Sequence, residues 1–318
     1  MLRSAFALAS PAGPRSRLSV LIFHRVLDEP DELFPGEVDA IRFDRICGWV
    51  REWFNVLALD DAVERLKHGR LPSRALAISF DDGYEDNHRI ALPILQRHGL
   101  KATFFVSTGF LDGSCMWNDT LIEAIRGARP GVLELGPLTD GTLGVMTITD
   151  AASRRRAIDD ILLHAKYLSP DVRRDFCRRV VELTGAMPSR RLMMTPEQVR
   201  ALRTAGMQVG AHTVSHPILA RLDEHEARRE ISASKSTLED LLGESVNLFA
   251  FPNGRPVDDY TARDVRLARE CGFAAAFSTV WGAADGKADP YQLPRFTPWD
   301  RTRWRFGARL LGNLITHR

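Results

Sequence analysis

Short apolar runs alternate along this chain with longer stretches whose apolar residues recur every three or four positions. Runs of four to eight residues closed by turn chemistry predict buried strands, and the 3.6-residue spacing predicts amphipathic helices. Leu18–Phe23 is such a run and ends at His24. Strands are likewise expected over Asn55–Leu59, Ala75–Phe80, Ala102–Val106, Met207–Ala211, Val246–Phe251, Phe273–Phe277 and Gln292–Phe296. Helices are expected over Ile41–Phe54, from a cap at Asp60 or Asp61 through Leu66, over Asn87–His98 with Gly99 closing it, and over Glu224–Leu242 ended by Gly243. Thr195-Pro196-Glu197-Gln198 reads as an N-cap with proline at the first helical position and a capping-box glutamine, opening a helix that ends at Gly206. A further helix spans Asp259–Glu270 and stops near Gly272.

Repeated strand–helix alternation predicts a mostly parallel α/β sheet. The polar residues of interest, His24, Asp81, Asp82, His212, Asn253 and Arg295, all fall just after predicted strands. In α/β barrels catalytic groups collect at the C-terminal ends of the strands, so this placement favours a barrel over residues 18–300. The rhythm breaks over residues 112–191. There Pro130–Thr149 reads as loops or a small hairpin, and Ala151–Leu168 and Asp171–Thr184 read as arginine-rich amphipathic helices. This stretch is taken as a helical insertion rather than a separate domain, one that covers the mouth of the site or adds a packed layer. Residues 301–318 mix Trp304, Phe306, Leu310, Leu311, Leu314 and Ile315 with Arg301, Arg303, Arg305, Arg309 and Arg318. That is a basic amphipathic helix, docked on the barrel or, alternatively, in peripheral contact with a membrane.

A chain of 318 residues has room for one large barrel or two modest domains, and a net charge of +2 gives no argument for nucleic acid as a partner. Cys47, Cys115, Cys177 and Cys271 are scattered without metal-ligand spacing and read as free thiols. The apolar run Ala5–Ala9 is too short for a secretory core, and no run approaches the roughly 18 apolar residues of a membrane span. A cytoplasmic location, with the inner face of the membrane as a variant of it, is the expectation.

The chemistry concentrates in Ser79-Phe80-Asp81-Asp82-Gly83 and His212-Thr213-Val214-Ser215-His216-Pro217. Adjacent strand residues point to opposite faces, but a turn at Gly83 can bring both carboxylates to one site. Two carboxylates so close repel unless a cation lies between them. Alone, the Asp-Asp-Gly run also suits a surface turn that caps a helix. Histidines four apart share a face if their segment is helical, and alone they also suit one packed and one surface histidine. Taken together, Asp82, His212 and His216 form a two-histidine, one-carboxylate ligand set. By ligand type it fits Fe(II) for oxygen chemistry as well as Zn²⁺ for hydrolysis. Asp81 is then an unliganded carboxylate beside the ion, which hydrolysis needs as a base and oxygen chemistry does not.

These two motifs resemble those of the polysaccharide deacetylase family, the NodB-homology group or carbohydrate esterase family 4. The family's Thr/Ser-Phe-Asp-Asp-Gly run appears as Ser79–Gly83 and its His-Ser/Thr-x-x-His run as His212–His216, in the same order. The resemblance spans about Leu18 to Arg295 and implies a distorted (β/α)7 barrel of the NodB type. It also implies removal of an N-acetyl group from a glycan or glycolipid, with water activated on a divalent cation. Zn²⁺ is the first choice, with Co²⁺ or Ni²⁺ as substitutes. Asp81 would be the base, Asp82, His212 and His216 the ligands, Thr213 a brace for the His212 loop, and a backbone N–H near Asn253 part of the oxyanion site.

The sequence departs from the family at two places. Phe249-Ala250-Phe251-Pro252-Asn253-Gly254 lacks the arginine that usually precedes this proline, so Arg255 or, preferably, Arg295 is expected to orient Asp81. The usual late catalytic histidine is missing, and the only histidine after His225 is His317. Phe23-His24-Arg25-Val26 resembles instead the exopolysaccharide and poly-N-acetylglucosamine deacetylases, in which an early histidine takes that part; His24 is then the acid that protonates the leaving amine. A strand-end histidine in a packing role is the plainer reading. His68, His88, His98, His164 and His225 are expected on solvated helical faces. The enzymatic alternative is a deformylase or other amide hydrolase of the same superfamily acting on a lipid-linked aminosugar. The non-enzymatic one is a glycan-binding barrel.

Overall fold

In chain order the strands are β1 (Leu18–Phe23), β2 (Asn55–Val56), β3 (Ala75–Phe80), β4 (Thr103–Val106), β5 (Gly131–Glu134), β6 (Val145–Ile148), β7 (Gln208–Ala211), β8 (Leu248–Ala250), β9 (Ala275–Trp281) and β10 (Leu293–Arg295). They come from a computed structural model that describes residues 2–186 and 191–315. Seven strands pair in parallel in the order β1-β3-β4-β7-β8-β9-β10, and β2 adds to β3. The two edges meet where the Ile22 N–H donates to the Phe296 carbonyl and the Phe296 N–H donates to the Val20 carbonyl. The sheet is thereby nearly closed into a barrel, as the strand–helix alternation predicts, and its seven parallel strands match the (β/α)7 form that the family resemblance implies.

Side-chain alternation divides the barrel into an inner and an outer layer. Leu18, Val20, Ala75, Ala77, Phe105, Leu248, Ala250, Ala275, Phe277 and Leu293 pack together as one cluster. Residues of the opposite parity, such as Leu21, Phe23, Ile78, Phe80, Phe104 and Phe249, join the covering helices. Burial on both faces explains why all six residues of β1 and all six of β3 are buried. The inner parity of β3 continues through Ser79 to Asp81, and that of β10 runs from Leu293 to Arg295. The period of two therefore aims both charged residues into the C-terminal end of the barrel.

The covering helices of this unit are α2 (Ala40–Trp53), α3 (Leu59–Lys67), α4 (Leu92–His98), α8 (Pro196–Thr204), α9 (Glu224–Leu242) and α10 (Ala262–Glu270). The capping box at Thr195 forms as expected, as does the left-handed stop at Gly243, with φ +68°. Other expectations shift. The strand expected at Asn55–Leu59 is only two residues long. Neither Asp60 nor Asp61 caps α3; both lie in its first turn, and Gln208 Oε1, at the start of β7, accepts from the Leu59 N–H at 2.7 Å. That glutamine also accepts from Thr103 Oγ1, so α3 is tied to the N-terminal end of the barrel. Asn87–Ala91 winds as a π-helix before α4 begins at Leu92, and Asp259 precedes α10, which Thr261 caps.

Residues 30–37 and 113–192 cluster as a second compact unit. It holds α5 (Trp117–Gly127), the antiparallel pair β5–β6, α6 (Ala151–Lys166) and α7 (Pro170–Thr184). Its core contains Leu33, Leu121, Ile125, Leu133, Ile158, Ile161, Phe176 and Val180. Asp31 grips both terminal nitrogens of Arg126, at 3.1 and 2.6 Å, which joins the short segment to α5.

The two terminal helices, α1 (Leu2–Ala9) and α11 (Arg303–Ile315), belong to the barrel unit. Phe306, Leu310 and Leu314 of α11 are fully buried in the main core, and the Phe306 ring lies 5.9 Å from that of Trp49 and 6.2 Å from that of Trp53. Arg303 pairs with Glu52 and Arg309 with Asp300. Phe306, Leu310 and Leu314 are therefore spent on docking, while Trp304 and Ile315, also offered for membrane contact, stay exposed; His317 and Arg318 lie outside the described residues. No described helix is long and apolar enough to cross a membrane. Phe306→Ala should lower stability by about 3–5 kcal/mol, the usual cost of emptying a buried aromatic site. A urea unfolding midpoint would measure it, and an unchanged midpoint would mean that α11 is not docked.

Candidate active site and metal centre

Asp81 and Arg295 meet inside the C-terminal end of the barrel. Arg295 Nη1 and Nη2 donate to the two Asp81 oxygens at 2.6 and 2.7 Å, its Nε donates to the Ser278 carbonyl at 2.9 Å, and Nη1 also reaches Ser79 Oγ at 3.3 Å. Both side chains are buried. Burial alone would raise the Asp81 carboxyl, but Arg295, with help from His212 and His24, more than offsets it and holds the group below its ordinary range. Arg255, the other candidate, is exposed, and its backbone N–H is what bonds Asp259.

Asp82 turns the other way. Its φ of +78°, followed by +92° at Gly83, breaks the strand geometry at once, so the reversal begins one residue earlier than the glycine. Asp82 Oδ1 lies 3.3 Å from His212 Nε2 and 3.3 Å from His216 Nε2; with both rings neutral, as cation binding requires, this fully buried oxygen has no hydrogen-bond partner. A buried carboxylate oxygen left that way is costly unless something else fills its coordination. The three side chains bring one ligand atom each to within 4.8 Å of one another, and their O and N donors suit a divalent first-row cation. His212 Nδ1 lies 2.8 Å from the Ala250 carbonyl; since a carbonyl only accepts, Nδ1 carries the hydrogen and Nε2 faces Asp82. The two imidazoles lie on a loop, not on the helical turn that their spacing allows: Thr213 and His216 have φ of +64° and +54°. Left-handed backbone at a β-branched residue costs about 1–3 kcal/mol and collects at functional sites.

The profile of the polysaccharide deacetylase family matches residues 68–131 and 172–276, more than half of the chain. The chain belongs to the polysaccharide deacetylase family. It is 20% identical over 282 residues to the Bacillus subtilis protein YxkH, named as a polysaccharide deacetylase, covering 88% of this chain and 71% of that one. Its fold is similar to that of the Streptococcus pyogenes deacetylase PplD solved in complex with acetate (TM-score 0.62, 18% identity, 94% of this chain and 98% of that one). It is also similar to that of IcaB from Ammonifex degensii (TM-score 0.59, 17% identity, 96% and 99%). Asp81, Asp82, His212 and His216 of this deacetylase all fall within the matched stretches, whereas His24 and Arg295 lie outside them.

The remaining expected residues are placed as follows. His24 is exposed at the end of β1, near enough for its charge to act on Asp81, Asp82 and His216. Thr213 is fully buried; its hydroxyl donates to the His212 carbonyl and accepts from the His216 N–H at 3.2 Å. Both bonds lie within the loop, which that hydroxyl can therefore brace. Asn253 is exposed in left-handed backbone, φ +59°, three residues beyond the carbonyl that orients His212. His98 is not fully solvated but half-buried on Asp44, and the His164 ring packs at a tilt of 58° against Phe176, centroids 5.2 Å apart.

Several supporting residues were invisible to sequence reasoning. Asp86, buried at the head of the π-turn, accepts from Arg25 Nε and the Val26 N–H, and Asn87 Nδ2 donates to the His24 carbonyl at 2.8 Å. These bonds moor the His24 loop to the segment just after Asp82. In the sequence the two lie inside the polar run Glu85-Asp86-Asn87-His88-Arg89, where nothing sets them apart. Gly109 lets its N–H reach the Val214 carbonyl at 2.8 Å; a Cβ there would lie 2.7 Å from that oxygen. Glu230, on α9, holds the same loop from the other side.

Protonation of the centre bears directly on cation binding. Asp82 is held far below the usual carboxylate range: burial would raise it, but His216 and His212 prevail. Burial pushes His216 down to about 4, so both groups are ready ligands at neutral pH. Burial opposes protonation of His212 too, but Asp81 and Asp82 prevail and raise it. A cation must therefore displace the His212 proton, so affinity falls as pH falls. Calorimetric zinc titrations in buffers of different ionisation enthalpy should show release of about one proton near pH 6, and affinity dropping about tenfold per pH unit below the raised His212 pKa. Proton-independent zinc binding would contradict this assignment.

Proposed function

We propose that this deacetylase is a metal-dependent hydrolase that removes N-acetyl groups from an N-acetylated sugar of a polysaccharide or glycolipid. The observation that carries this reading is the unpartnered Asp82 oxygen between two imidazoles, beside a carboxylate that Arg295 holds in place. Asp82, His212 and His216 would hold the cation, with Zn²⁺ preferred and Co²⁺ or Ni²⁺ able to use the same donors. Such a cation supplies Lewis acidity and lowers the pKa of water.

The chain's own groups supply the rest. Asp81 accepts the proton of the attacking water. Arg295 uses both carboxylate oxygens at once, which fixes the plane of the carboxyl and keeps it ionised while leaving further lone-pair directions free. His24, at the strand end and exposed, is the candidate donor of a proton to the departing amine. A backbone N–H in the left-handed turn at Asn253 is the candidate partner for negative charge developing on the carbonyl oxygen.

Acetate release from N-acetylglucosamine oligomers, with Zn²⁺, Co²⁺ or Ni²⁺ supplied in turn, tests this reading. Asp82→Asn should abolish both cation binding and acetate release. Asp81→Asn should keep cation binding while the rate falls about 10²–10⁴-fold, the usual range for loss of a general base. It also leaves Arg295 buried without its partner, at a cost of about 3–5 kcal/mol, so cation binding serves as the check that the variant is folded. Wild-type protein inert with all three ions, or Asp81→Asn at full rate, would defeat the proposal. Undiminished glycan binding by an inactive wild type would point to a binding module instead.

A further inference from the structure

The two imidazoles of the centre are supported by different devices. His212 directly follows β7: its N–H donates to the Val106 carbonyl at 3.1 Å, and its ring is tied to Ala250 at the end of β8. His216 lies on the loop beyond, between residues that the sheet does not pair. That loop is strained at Thr213 and at His216 itself. A strained conformation persists only where its surroundings over-determine it.

On one side the restraint comes from backbone, with the Thr108 and Gly109 N–H groups donating to the Thr213 and Val214 carbonyls at 3.1 and 2.8 Å. On the other side it comes from one side chain. Glu230 Oε2 accepts from the Val214 N–H at 2.9 Å and the Ser215 N–H at 2.8 Å, and Oε1 accepts from Ser215 Oγ at 2.7 Å. Two consecutive amides converging on a single carboxylate oxygen form a small anion-binding nest, here filled by a residue 15 positions onward, on α9. Charge-assisted bonds of this kind are about twice as strong as neutral ones.

We propose that Glu230 is a positioning residue for the cation centre: it clamps residues 214–215 so that the strained loop presents His216 to Asp82. This rests on the reading of Asp82, His212 and His216 as cation ligands. Without the carboxylate, two amides and a hydroxyl lose their acceptor. The loop is then free to relax out of the left-handed conformation, carrying His216 away while His212 and Asp82 stay with the sheet.

The test is a double-mutant cycle read by calorimetric titration with Zn²⁺ alone, on wild type, Glu230→Ala, His216→Ala and the double variant. Glu230→Ala should weaken zinc binding about 10–100-fold, the range for supporting partners of metal ligands. His216→Ala should weaken it at least as much. The double variant should bind no more weakly than His216→Ala, because both substitutions remove the same ligand. Glu230→Gln, which retains the shape and one carbonyl acceptor, should recover part of the affinity, and it stands in for Glu230→Ala should that variant not fold. Zinc affinity of the Glu230 variants within twofold of wild type, or losses that multiply in the double variant, would overturn the proposal. If His216→Ala binds zinc as wild type does, the ligand assignment fails, and the role of Glu230 fails with it.

Discussion

The arrangement of this molecule turns on the buried pair between Arg295 and Asp81. One partner comes from the third strand and the other from the last, 214 residues apart in the chain. A guanidinium taken out of water is costly unless its donors are met. Here they are met by Asp81, by the Ser79 hydroxyl and by the Ser278 carbonyl on β9. Meeting them requires β3, β9 and β10 to arrive at the same depth, so the pair acts as a registration device for the nearly closed barrel. It also places a carboxylate that stays ionised at the one end of the barrel where the polar strand termini collect.

Around that pair the site is assembled from backbone that ordinary residues avoid. Asp82, Thr213, His216 and Asn253 all have positive φ, and none is glycine. Asp82 reverses the chain just after β3, and the other three lie in the loops that follow β7 and β8. At Asp82 the reversal separates the two neighbouring carboxylates, sending one to Arg295 and the other to the histidines. A regular strand would have placed them on opposite faces of the sheet, with no shared site. The conformational cost is met by hydrogen bonds from outside the site, those of Glu230 and Thr108 to the histidine loop and those of Asp86 and Asn87 to the His24 loop. Orphaned Asp82 Oδ1 is the exception, and the exception is where the chemistry of the donor set points to a cation.

The chain's two compact units follow the same economy in different ways. The barrel buries both faces of its strands and leaves charge only at the ends. The unit built from residues 30–37 and 113–192 has its own apolar core under arginine-bearing helices, with Asp31 and Arg126 joining stretches almost a hundred positions apart. The family profile matches part of that unit but not residues 132–171, which contain most of the β5–β6 pair and all of α6.

What the sequence determined by itself was local. Apolar period and length located the strands, Thr195 with Gln198 marked a helix start, Gly99 and Gly243 marked helix ends, and the paired aspartates and spaced histidines named the donors. These depend on neighbours within a few residues, which any reading of the chain contains. The tertiary structure decided the partnerships. Arg295 rather than Arg255 meets Asp81, because the parity of β10 aims inward and Arg255 lies in an exposed turn. Gln208 rather than Asp60 or Asp61 serves the start of α3, because β7 begins beside it. Glu230 holds the histidine loop, residues 30–37 join the segment beyond 112, and the apolar face of α11 meets the barrel. Each of these contacts joins positions distant in the chain, and which positions meet is set by strand order and register, which periodicity does not encode.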